Sequence, residues 1–487
     1  MPCTTILAGK NATHDGSTII ARNDDGGFTT KRIVVVPPEK QPRSYKTVIS
    51  HLTVELPDDP LRYTSAPNVI LKEGLWPACG INAANVVMTA TETVTSNPRV
   101  YAADPLVVFQ PKAGRKGKEV PGGIGEEDLC TLVLPYIRSA REGVLRLGRL
   151  LEEYGTYENN GIAFSDADEV WWLETIGGHH WIARRVPDDA VVIMPNQFGL
   201  DRFDFDDAYG EQKENLCSAD LKEFTEKNHL NIGKDGAPFV PRLAYGSRSD
   251  ADHIYNTPRA WYMARYFLER TYRWDGENAD FTPESNDIPW CFVPEKKVTV
   301  EDVRYLLGSH FQGTPYDPYD NRAPQKGKYR CIGVPNSDIC GILQIRGGLP
   351  EAIRGVEWLS MGGSGFTACF PFYANVSKLP AYLSATTENV SADFMYWQSR
   401  LIAVLTDAHF ADNLILDERY VNTVMNQGRR LLCEYDARIM AGENERILEE
   451  ANRKITEMVK KESDKVLLSV LNHSSEKMRN RYHRGDN

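Results

Sequence analysis

Two β-rich stretches joined by a turn signal open this chain, and they limit how its N-terminal segment can fold. Residues 3–9 (CTTILAG) and residues 17–23 (STIIARN) are rich in β-branched side chains, which favour strands. Asp15 and Gly16 between them are typical of a turn. The segment therefore predicts an antiparallel hairpin whose first strand begins at Cys3.

The pairing register of this hairpin would bring reactive side chains to one strand end. If Gly9 lies opposite Ser17, paired residue numbers sum to about 26, and Cys3 faces Asn23. A guanidinium and two carboxylates would lie beside them, those of Arg22, Asp24 and Asp25. A thiol placed among these charges predicts a reactive site at this end of the hairpin.

Charge and cysteine content exclude several classes of function. The chain has 487 residues, 41% of them hydrophobic, which is ample for a core, and its net charge is −11. Nucleic acids and anionic membranes bind basic surfaces, so neither is expected as a partner. The nine cysteines include no Cys-x-x-Cys pair, which argues against a disulfide framework and a zinc site. The sequence shows no signal peptide and no membrane helix. We therefore expect a cytoplasmic protein with reduced thiols, no metal and no other cofactor.

The order of the predicted elements indicates an α+β protein. Strands are predicted from Arg32, Tyr45 and Asn85, two helices within residues 126–155 with a break at Pro135, strands again from 161 to 194, a helix from Thr257, and mostly helices after Ser391. This order favours a layered domain over residues 1–390 and a helical C-terminal extension over residues 391–487 packed on it. The late helices suit either that packing or contacts within a homo-oligomer.

Cys3 has the surroundings of a nucleophile. The thiolate is the reactive form, and a nearby arginine such as Arg22 lowers the pKa of a thiol. A nucleophilic cysteine also needs a base. If Met1 and Pro2 are removed, the α-amine of Cys3 becomes available, with a typical pKa of about 7.7–8.0. The plainer interpretation is a small apolar residue at a strand start, with Arg22 as a surface charge.

The same residues resemble a known family. The opening CTTILAGKNATHDGSTIIARNDDGG is similar to that of the dipeptidase A family of cysteine peptidases, which are N-terminal-nucleophile hydrolases related to the secernins and, more distantly, to penicillin V acylase and bile salt hydrolase. Further blocks are GINAANVVMTATET (80–93), YNTPRAW (255–261) and QGTPYDPYD (312–320). The resemblance implies a four-layer αββα sandwich over residues 1–390, hydrolysis of dipeptides, and no metal.

The resemblance also implies roles for residues of the hairpin. Cys3 matches the nucleophile position of the family. Arg22 and Asp25 match an Arg-x-x-Asp pattern of the acylases, in which the aspartate orients the α-amine. Asp24 is a rival for this role, because the sequence offers two adjacent carboxylates and does not choose between them.

Two residues far along the chain match positions near the acylase nucleophile. Asn196 follows an apolar strand, as the oxyanion-binding asparagine of the acylases does, and an amide N–H there could hold an oxyanion. Arg259, at a predicted helix start, matches an arginine near the nucleophile. The plainer interpretations are a turn residue for Asn196 and an exposed helix arginine for Arg259.

Glu92 is the main departure from the acylase pattern, which has an asparagine here. An ionised carboxylate cannot donate a hydrogen bond, so Glu92 cannot replace an amide donor. It could instead bind the ammonium group of a substrate with a free N-terminus. Glu92 therefore favours a dipeptidase over an acylase; its plainer interpretation is a strand residue facing solvent.

Three functions follow from these residues. The favoured one is a cysteine dipeptidase whose nucleophile is exposed by removal of Met1 and Pro2, and whose partner is a dipeptide substrate. The alternatives are an acylase-type amidase and a non-enzymatic, secernin-like interaction protein. The paired His179 and His180 could suggest a metal, but neighbouring strand residues point to opposite faces, so we expect no shared ion. An unprocessed chain is expected to place Pro2 where a substrate acyl group would lie.

Overall fold

The computed structural model describes residues 3–27, 29–89, 92–112 and 117–478, and within them the chain is a mixed α+β protein. The strands of these residues are β1 (Thr4–Ala8), β2 (Thr18–Asp25), β3 (Val34–Val36), β4 (Ser44–Lys46), β5 (Thr53–Glu55), β6 (Tyr63–Ser65), β7 (Cys79–Ile81), β8 (Val87–Thr89), β9 (Glu92–Thr93), β10 (Asn160–Ser165), β11 (Val170–Ile176), β12 (His180–Val186), β13 (Val191–Met194), β14 (Asn215–Cys217), β15 (Cys291–Phe292), β16 (Ser337–Ile345), β17 (Gly355–Met361) and β18 (Phe370–Tyr373). The α-helices are α1 (Pro98–Ala103), α2 (Leu129–Val133), α3 (Ala140–Tyr154), α4 (Phe205–Ala208), α5 (Leu221–Lys227), α6 (Pro241–Ala244), α7 (Asp252–Tyr255), α8 (Thr257–Phe267), α9 (Val300–Leu307), α10 (Glu351–Arg354), α11 (Ala381–Ser384), α12 (Met395–Ala408), α13 (Phe410–Met440) and α14 (Ile447–Glu476). The α+β class predicted from the sequence is confirmed.

Two large antiparallel sheets form the centre of the molecule. The first has the strand order β15-β13-β1-β2-β16-β17-β18. The second has the order β14-β12-β11-β10-β8-β7, and β9 also pairs with β10. Strand β2 of the first sheet contacts β8 and β10 of the second, and β16 contacts β7. The N-terminal hairpin therefore lies in the middle of one sheet and packs against the other.

The predicted N-terminal hairpin is confirmed, but its predicted register is wrong by one residue. Thr4 pairs with Asn23 and Thr5 with Arg22, so paired numbers sum to 27. Extending this register puts Gly9 opposite Thr18 rather than Ser17, so the connection between the two strands is one residue longer than predicted. On its other side β1 pairs with β13, and the N–H of Gly9 bonds to Ala190 O.

This one-residue difference decides which side chains Cys3 meets. A shift of one position moves every side chain of a strand to the other face. Extending the observed register by one position puts Cys3 opposite Asp24. Because side chains alternate along a strand, Arg22 and Asp24 lie on one face of β2. Asn23 and Asp25 belong to the opposite face. The register of the structure thus allows Cys3 to share a face with Arg22.

Both faces of the second sheet are buried, as its sequence pattern requires. Ile162 and Phe164 of β10 belong to one hydrophobic cluster, whereas Ala163 between them belongs to the other. Strand β11 alternates in the same way, with Trp171 in one cluster and Trp172 in the other. Such strands are apolar on both sides because each face packs on another layer.

Helices cover the outer sides of the sheets. α3 packs on β10, β11 and β12, and the approach is close: a Cβ on its Gly148 would lie 2.4 Å from the Trp181 ring. α12 contacts β17, while α13 and α14 contact β18. Apolar residues of α14, such as Ile455 and Val459, are fully buried in the same core as the first sheet.

Most predicted elements are found in the described residues. The two helices around Pro135 are α2 and α3, with a 3-10 turn between them. The stretch from Tyr45 forms two short paired strands, β4 and β5, instead of one. None of the described helices has the length and apolar character that crossing a membrane requires.

Candidate active site

Cys3 is fully buried at the start of β1, and Arg22 contacts its sulfur. The Nη2 of Arg22 lies 2.9 Å from Cys3 Sγ. Arg22 is also buried, so the interpretation of this residue as a surface charge is wrong. Burial disfavours its charge, yet Cys3, Glu126 and Asp24 outweigh burial and hold the pKa of Arg22 well above its usual value. A permanent positive charge therefore lies against the thiol.

Two carboxylates share this guanidinium. Arg22 Nη2 lies 2.6 Å from Glu126 Oε1 and 3.2 Å from Asp24 Oδ1. Asp24 Oδ2 in turn lies 2.9 Å from the ammonium nitrogen of Lys31, which is buried as well. Burial raises the pKa of Asp24, but Lys31 and Arg22 outweigh it and lower the pKa. The site thus contains two cations and two carboxylates that balance each other.

A further ionisable side chain, that of Glu158, contacts the backbone of Glu126. The Glu158 Oε1 accepts a hydrogen bond of 2.7 Å from the backbone N–H of Glu126. Burial, followed by the charge of Glu126, raises the pKa of Glu158 to about 7. Glu158 can therefore change its charge near neutral pH, next to the residues that surround the thiol.

Cys3, Asp24 and Glu126 form the one potential metal-binding group found among the described residues, with ligand atoms within 4.8 Å of one another. The three ligand atoms are the same atoms that Arg22 Nη2 contacts. The position that a cation would take is therefore filled by a guanidinium, and these residues suit a charge-stabilised thiol better than a metal ion.

Asp25 lies apart from this cluster. Its carboxylate accepts a hydrogen bond from the Ser337 hydroxyl and forms an ion pair with Arg330, both on the opposite face of β2. Asn23, which shares that face, donates to the backbone oxygen of Leu307 at 2.7 Å. Of the two candidate carboxylates, Asp24 thus lies beside the sulfur, and Asp25 lies beside Arg330.

Arg259 connects Asn196 to the backbone oxygen of Cys3. Arg259 Nη1 donates to the Cys3 backbone oxygen and, at 2.7 Å, to Thr4 Oγ1. Its Nη2 donates to Asn196 Oδ1 at 2.8 Å. Arg259 is fully buried in the first turn of α8, so the interpretation as an exposed helix arginine is wrong. The side chain connects the strand that begins after Cys3 with the turn that follows β13.

The contact with Arg259 fixes the orientation of the Asn196 amide. Since Oδ1 accepts from a guanidinium, the other end of the amide is the donor end. The backbone oxygen of Asn196 accepts from Asn256 Nδ2 at 3.1 Å, which holds the turn in place. Asn196 also lines a cavity of about 830 Å³ together with Tyr255 and Asn256. Asn196 therefore borders a space large enough for a small substrate.

Two predictions fall on residues that the structure does not describe. Met1 and Pro2 lie outside the described residues, as does the side chain of Glu92, although its backbone belongs to β9. The expected position of Pro2 and the ammonium-binding role of Glu92 stay predictions.

The expectation that the side chains of His179 and His180 point to opposite faces is wrong. His179 belongs to the turn before β12 and His180 begins the strand, so their side chains are not on opposite faces. Their Nδ1 atoms lie 3.1 Å and 2.7 Å from the two carboxylate oxygens of Asp104. Burial raises the pKa of Asp104, but hydrogen bonds from His180 and His179 outweigh it and lower the pKa to about 2. The pair secures a hairpin turn.

Sequence reasoning missed several residues of the cluster. Lys31, Glu126 and Glu158 were not predicted, and Arg330 was not connected to Asp25. The three successive acids from Glu126 onward precede an apolar helix, and this was the one local signal available. All three are buried, which their acidic character alone does not suggest.

Comparison with known proteins shows the family to which this chain belongs. The model of Peptidase family C69 matches residues 2–422. A dipeptidase of Bifidobacterium longum (strain NCC 2705) is 49% identical, with 100% of both chains covered. A probable dipeptidase A of Streptococcus pyogenes serotype M3 is 46% identical, again with 100% of both chains covered. Dipeptidase A of Lactobacillus helveticus is 43% identical over 90% of this chain and 88% of its own.

The chain therefore belongs to peptidase family C69, and the predicted resemblance is confirmed. It is a peptidase of the cysteine type, which leaves the non-enzymatic alternative without support.

Proposed function

We propose that this peptidase hydrolyses dipeptides that have a free N-terminus, with Cys3 as the nucleophile. The observation that carries the proposal is the contact of 2.9 Å between Cys3 Sγ and the buried guanidinium of Arg22. It is supported by relatives at 43–49% identity whose names are dipeptidase or dipeptidase A.

The reaction begins with a proton transfer inside Cys3. In the processed enzyme the α-amine of Cys3 takes the proton of the thiol, and the thiolate attacks the scissile carbonyl carbon. A C–S bond forms while the carbonyl becomes an oxyanion. When the intermediate collapses, the C–N bond breaks and the ammonium of Cys3 returns a proton to the leaving amine. Water then hydrolyses the thioester with the same amine as base.

The charges around the thiol suit this sequence of steps. Arg22 and Lys31 balance Asp24 and Glu126, so these four side chains carry no net charge, and Glu158 beside them adds negative charge only as it loses its proton near neutral pH. Proton transfer within Cys3 creates a thiolate and an ammonium together, so it leaves the net charge of the site unchanged. A proton lost to solvent instead would leave an uncompensated buried charge, which is costly. The cluster therefore favours an amine of the same residue as the base.

The oxyanion is bound by Asn196. Arg259 accepts no hydrogen bond, so its contact with Asn196 Oδ1 directs the Nδ2 donor end away from the guanidinium. Donors placed where negative charge develops typically contribute a factor of about 10²–10³ to kcat. Arg259 acts as a positioning residue, because it holds both Asn196 and the backbone oxygen of Cys3.

Asp25 orients the amine of Cys3 in this proposal, and Asp24 is the alternative. The α-amine belongs to the backbone, so it is accessible from both faces of the sheet. Among the described residues, Asp24 is paired with two cations, Arg22 and Lys31, whereas Asp25 is paired with one, Arg330, and accepts from the Ser337 hydroxyl. Separate Asp24→Asn and Asp25→Asn variants decide the question. The orienting residue is the one whose loss shifts the pKa of the catalytic base in the pH profile of kcat/KM. Loss of the other residue should mainly lower stability.

The amine becomes available by cleavage of the Pro2–Cys3 bond. The Cys3 thiolate attacks the Pro2 carbonyl carbon, the C–N bond breaks, and the acyl group moves from nitrogen to sulfur. Water then hydrolyses the thioester, which releases the N-terminal segment as a carboxylate and restores the thiol. The same oxyanion donor serves this step and the hydrolysis of substrate.

Glu92 supplies the preference for a free substrate amine. Its carboxylate would pair with the ammonium group of the substrate, which acylase substrates lack.

We also propose the N-terminal-nucleophile hydrolase fold for residues 1–390, with residues 391–487 as a helical extension, and a cytoplasmic location. Two facing antiparallel sheets, with α3 against one and α12–α14 against the other, support the αββα arrangement. All nine cysteines lie in the described part of the chain and none is in a disulfide, which is consistent with a reducing compartment.

A panel of free, N-acetylated and C-amidated dipeptides, assayed with the wild type and Cys3→Ala, tests the proposed function. We expect hydrolysis of free dipeptides, at least a hundredfold loss on N-acetylation, and no activity in Cys3→Ala. Faster cleavage of N-acylated substrates would favour the acylase-type amidase instead. Activity that survives in Cys3→Ala would exclude Cys3 as the nucleophile.

A further inference from the structure

The cavity next to Asn196 contains two arginines to which no role has been given. It is lined by residues of α1, of the segment 243–249 and of α7, and its volume is about 830 Å³. Arg99 and Arg248 both line it, and both are exposed. The net charge of the chain is −11, yet this part of its surface presents two cations. It therefore suits a small anionic group.

Hydrogen bonds hold the two arginines on one rim of the cavity. The backbone N–H of Asn97 bonds to Tyr245 O at 2.8 Å, and the N–H of Ser247 bonds to Thr95 O at 3.1 Å. The Asn97 side chain adds a bond of 2.8 Å to Ala244 O. These contacts join the segment that precedes Arg99 to the segment that precedes Arg248.

The same rim is tied to the candidate oxyanion donor. Gln197 Nε2, next to Asn196, donates to Ser247 O at 3.2 Å. On the other side, Asn256 Nδ2 bonds both to Asn196 O, at 3.1 Å, and to Asp252 Oδ1, at 2.6 Å. The arginines and Asn196 therefore belong to one hydrogen-bonded frame rather than to independent loops.

Among the described residues that line this cavity, Asp252 is the one acid, and it is buried. Its carboxylate is occupied by Ser249, with bonds of 2.8 Å and 2.9 Å, and by Ser247 and Asn256. Among the ion pairs of the described residues, none involves Arg99 or Arg248. Their guanidinium groups are thus available to an external anion.

From this geometry we infer that Arg248 and Arg99 bind the free C-terminal carboxylate of the substrate. The inference rests on the proposed function and extends it, because it explains how a dipeptide is recognised at its second end. A guanidinium presents parallel N–H donors that match the two oxygens of a carboxylate. The apolar side chains of Ile232 and Leu243 in the same lining offer contact for the residue that carries that carboxylate.

A substrate bound in this way spans the site. In this proposal its scissile carbonyl lies at Asn196 and its carboxylate lies on the arginine rim. One residue spans about 3.3–3.6 Å, so a carboxylate further along a longer peptide would miss the rim, and a C-terminal amide would lose the charge. Arg99 and Arg248 are therefore specificity-determining residues for short substrates.

The test compares a free dipeptide with its C-terminal amide on Arg248→Ala, Arg99→Ala and the double variant. Arg273→Ala is the matched control, because Arg273 is an exposed arginine that lines a different cavity. We expect each single change to raise KM for the free dipeptide about tenfold, with kcat little changed, and the double change about 100-fold. KM for the amide should change less than about threefold, and Arg248→Lys should restore part of the affinity.

Added salt provides a second readout. Because the rim is exposed, wild-type KM for the free dipeptide should rise with ionic strength, and this rise should disappear in the double variant. Equal losses on dipeptide and amide, or a wild type that does not distinguish them, would overturn the inference while leaving the dipeptidase intact. A wild type that cleaves neither would remove the proposed function, and this inference with it.

Discussion

Replacing Glu174 with glutamine should remove one contribution that lowers the stability of this protein as the pH rises from mildly acidic to neutral. Glu174 lies in β11 in the middle of the second sheet and is fully buried. Its Oε1 accepts hydrogen bonds from the Gly199 N–H at 2.7 Å and from Trp172 Nε1 at 3.1 Å. Its Oε2 has no hydrogen-bond partner among the described residues. A carboxylate in this position is only partly compensated.

The size of the effect follows from the pKa. Burial raises the pKa of Glu174 from 4.5 to about 7, although the hydrogen bonds from Gly199 and Trp172 oppose the rise. Between these two values the folded protein keeps a proton that the unfolded chain has released. The free energy of unfolding therefore falls as the pH rises through this window. At about 1.4 kcal/mol per pH unit, the full fall is about 3 kcal/mol.

Urea unfolding of wild type and Glu174→Gln between about pH 4.5 and about pH 8 measures this difference. The glutamine keeps a carbonyl acceptor for Gly199 and has no proton to release. We expect the variant to be less stable than or equal to the wild type at the acidic end and to gain about 3 kcal/mol on it toward neutral pH. Glu39→Gln, at an exposed site, controls for the loss of one charge. Parallel curves for wild type and Glu174→Gln would show that Glu174 does not hold its proton, and the reasoning would be refuted.

Three further predictions concern the active site. Arg22→Ala should lower kcat more than it raises KM, because the guanidinium acts on the thiol and not on the substrate; pH–rate profiles unchanged over about pH 6–9 would count against this. Asn196→Ala should lower kcat by about 10²–10³ with KM nearly constant in steady-state assays, and a pure KM effect would remove its role as oxyanion donor. Glu92→Gln should impair free dipeptides far more than N-acetylated analogues, and equal losses on both would assign Glu92 a structural or general role.

Local sequence patterns predicted the elements of this fold because they depend on nearby residues. Runs of apolar residues marked β10 and β11, and Pro135 marked the break between α2 and α3. The register of the first hairpin was not local in this sense. Strands β1 and β2 also pair with β13 and β16, far along the chain, and no turn signal between residues 9 and 17 reports those contacts.

The candidate site was predictable only in part for the same reason. Cys3, Arg22 and Asp24 are near each other on one hairpin, so their proximity followed from strand pairing. Glu126 joins Arg22 across a separation of 104 residues, and Arg259 joins Cys3 across 256. Arg259 could be proposed through family resemblance. Glu126 could not, because a buried carboxylate is recognised only when its partner is known.

The intact mass of a fully active preparation, determined together with its specific activity, tests whether the α-amine of Cys3 is the catalytic base. We predict that the active chain begins at Cys3, and that Cys3→Ala retains Pro2 and has no activity. Partial processing should give activity in proportion to the fraction of chains that begin at Cys3. A fully active preparation whose chains still begin at Met1 or Pro2 would contradict the claim that the amine of Cys3 is the catalytic base.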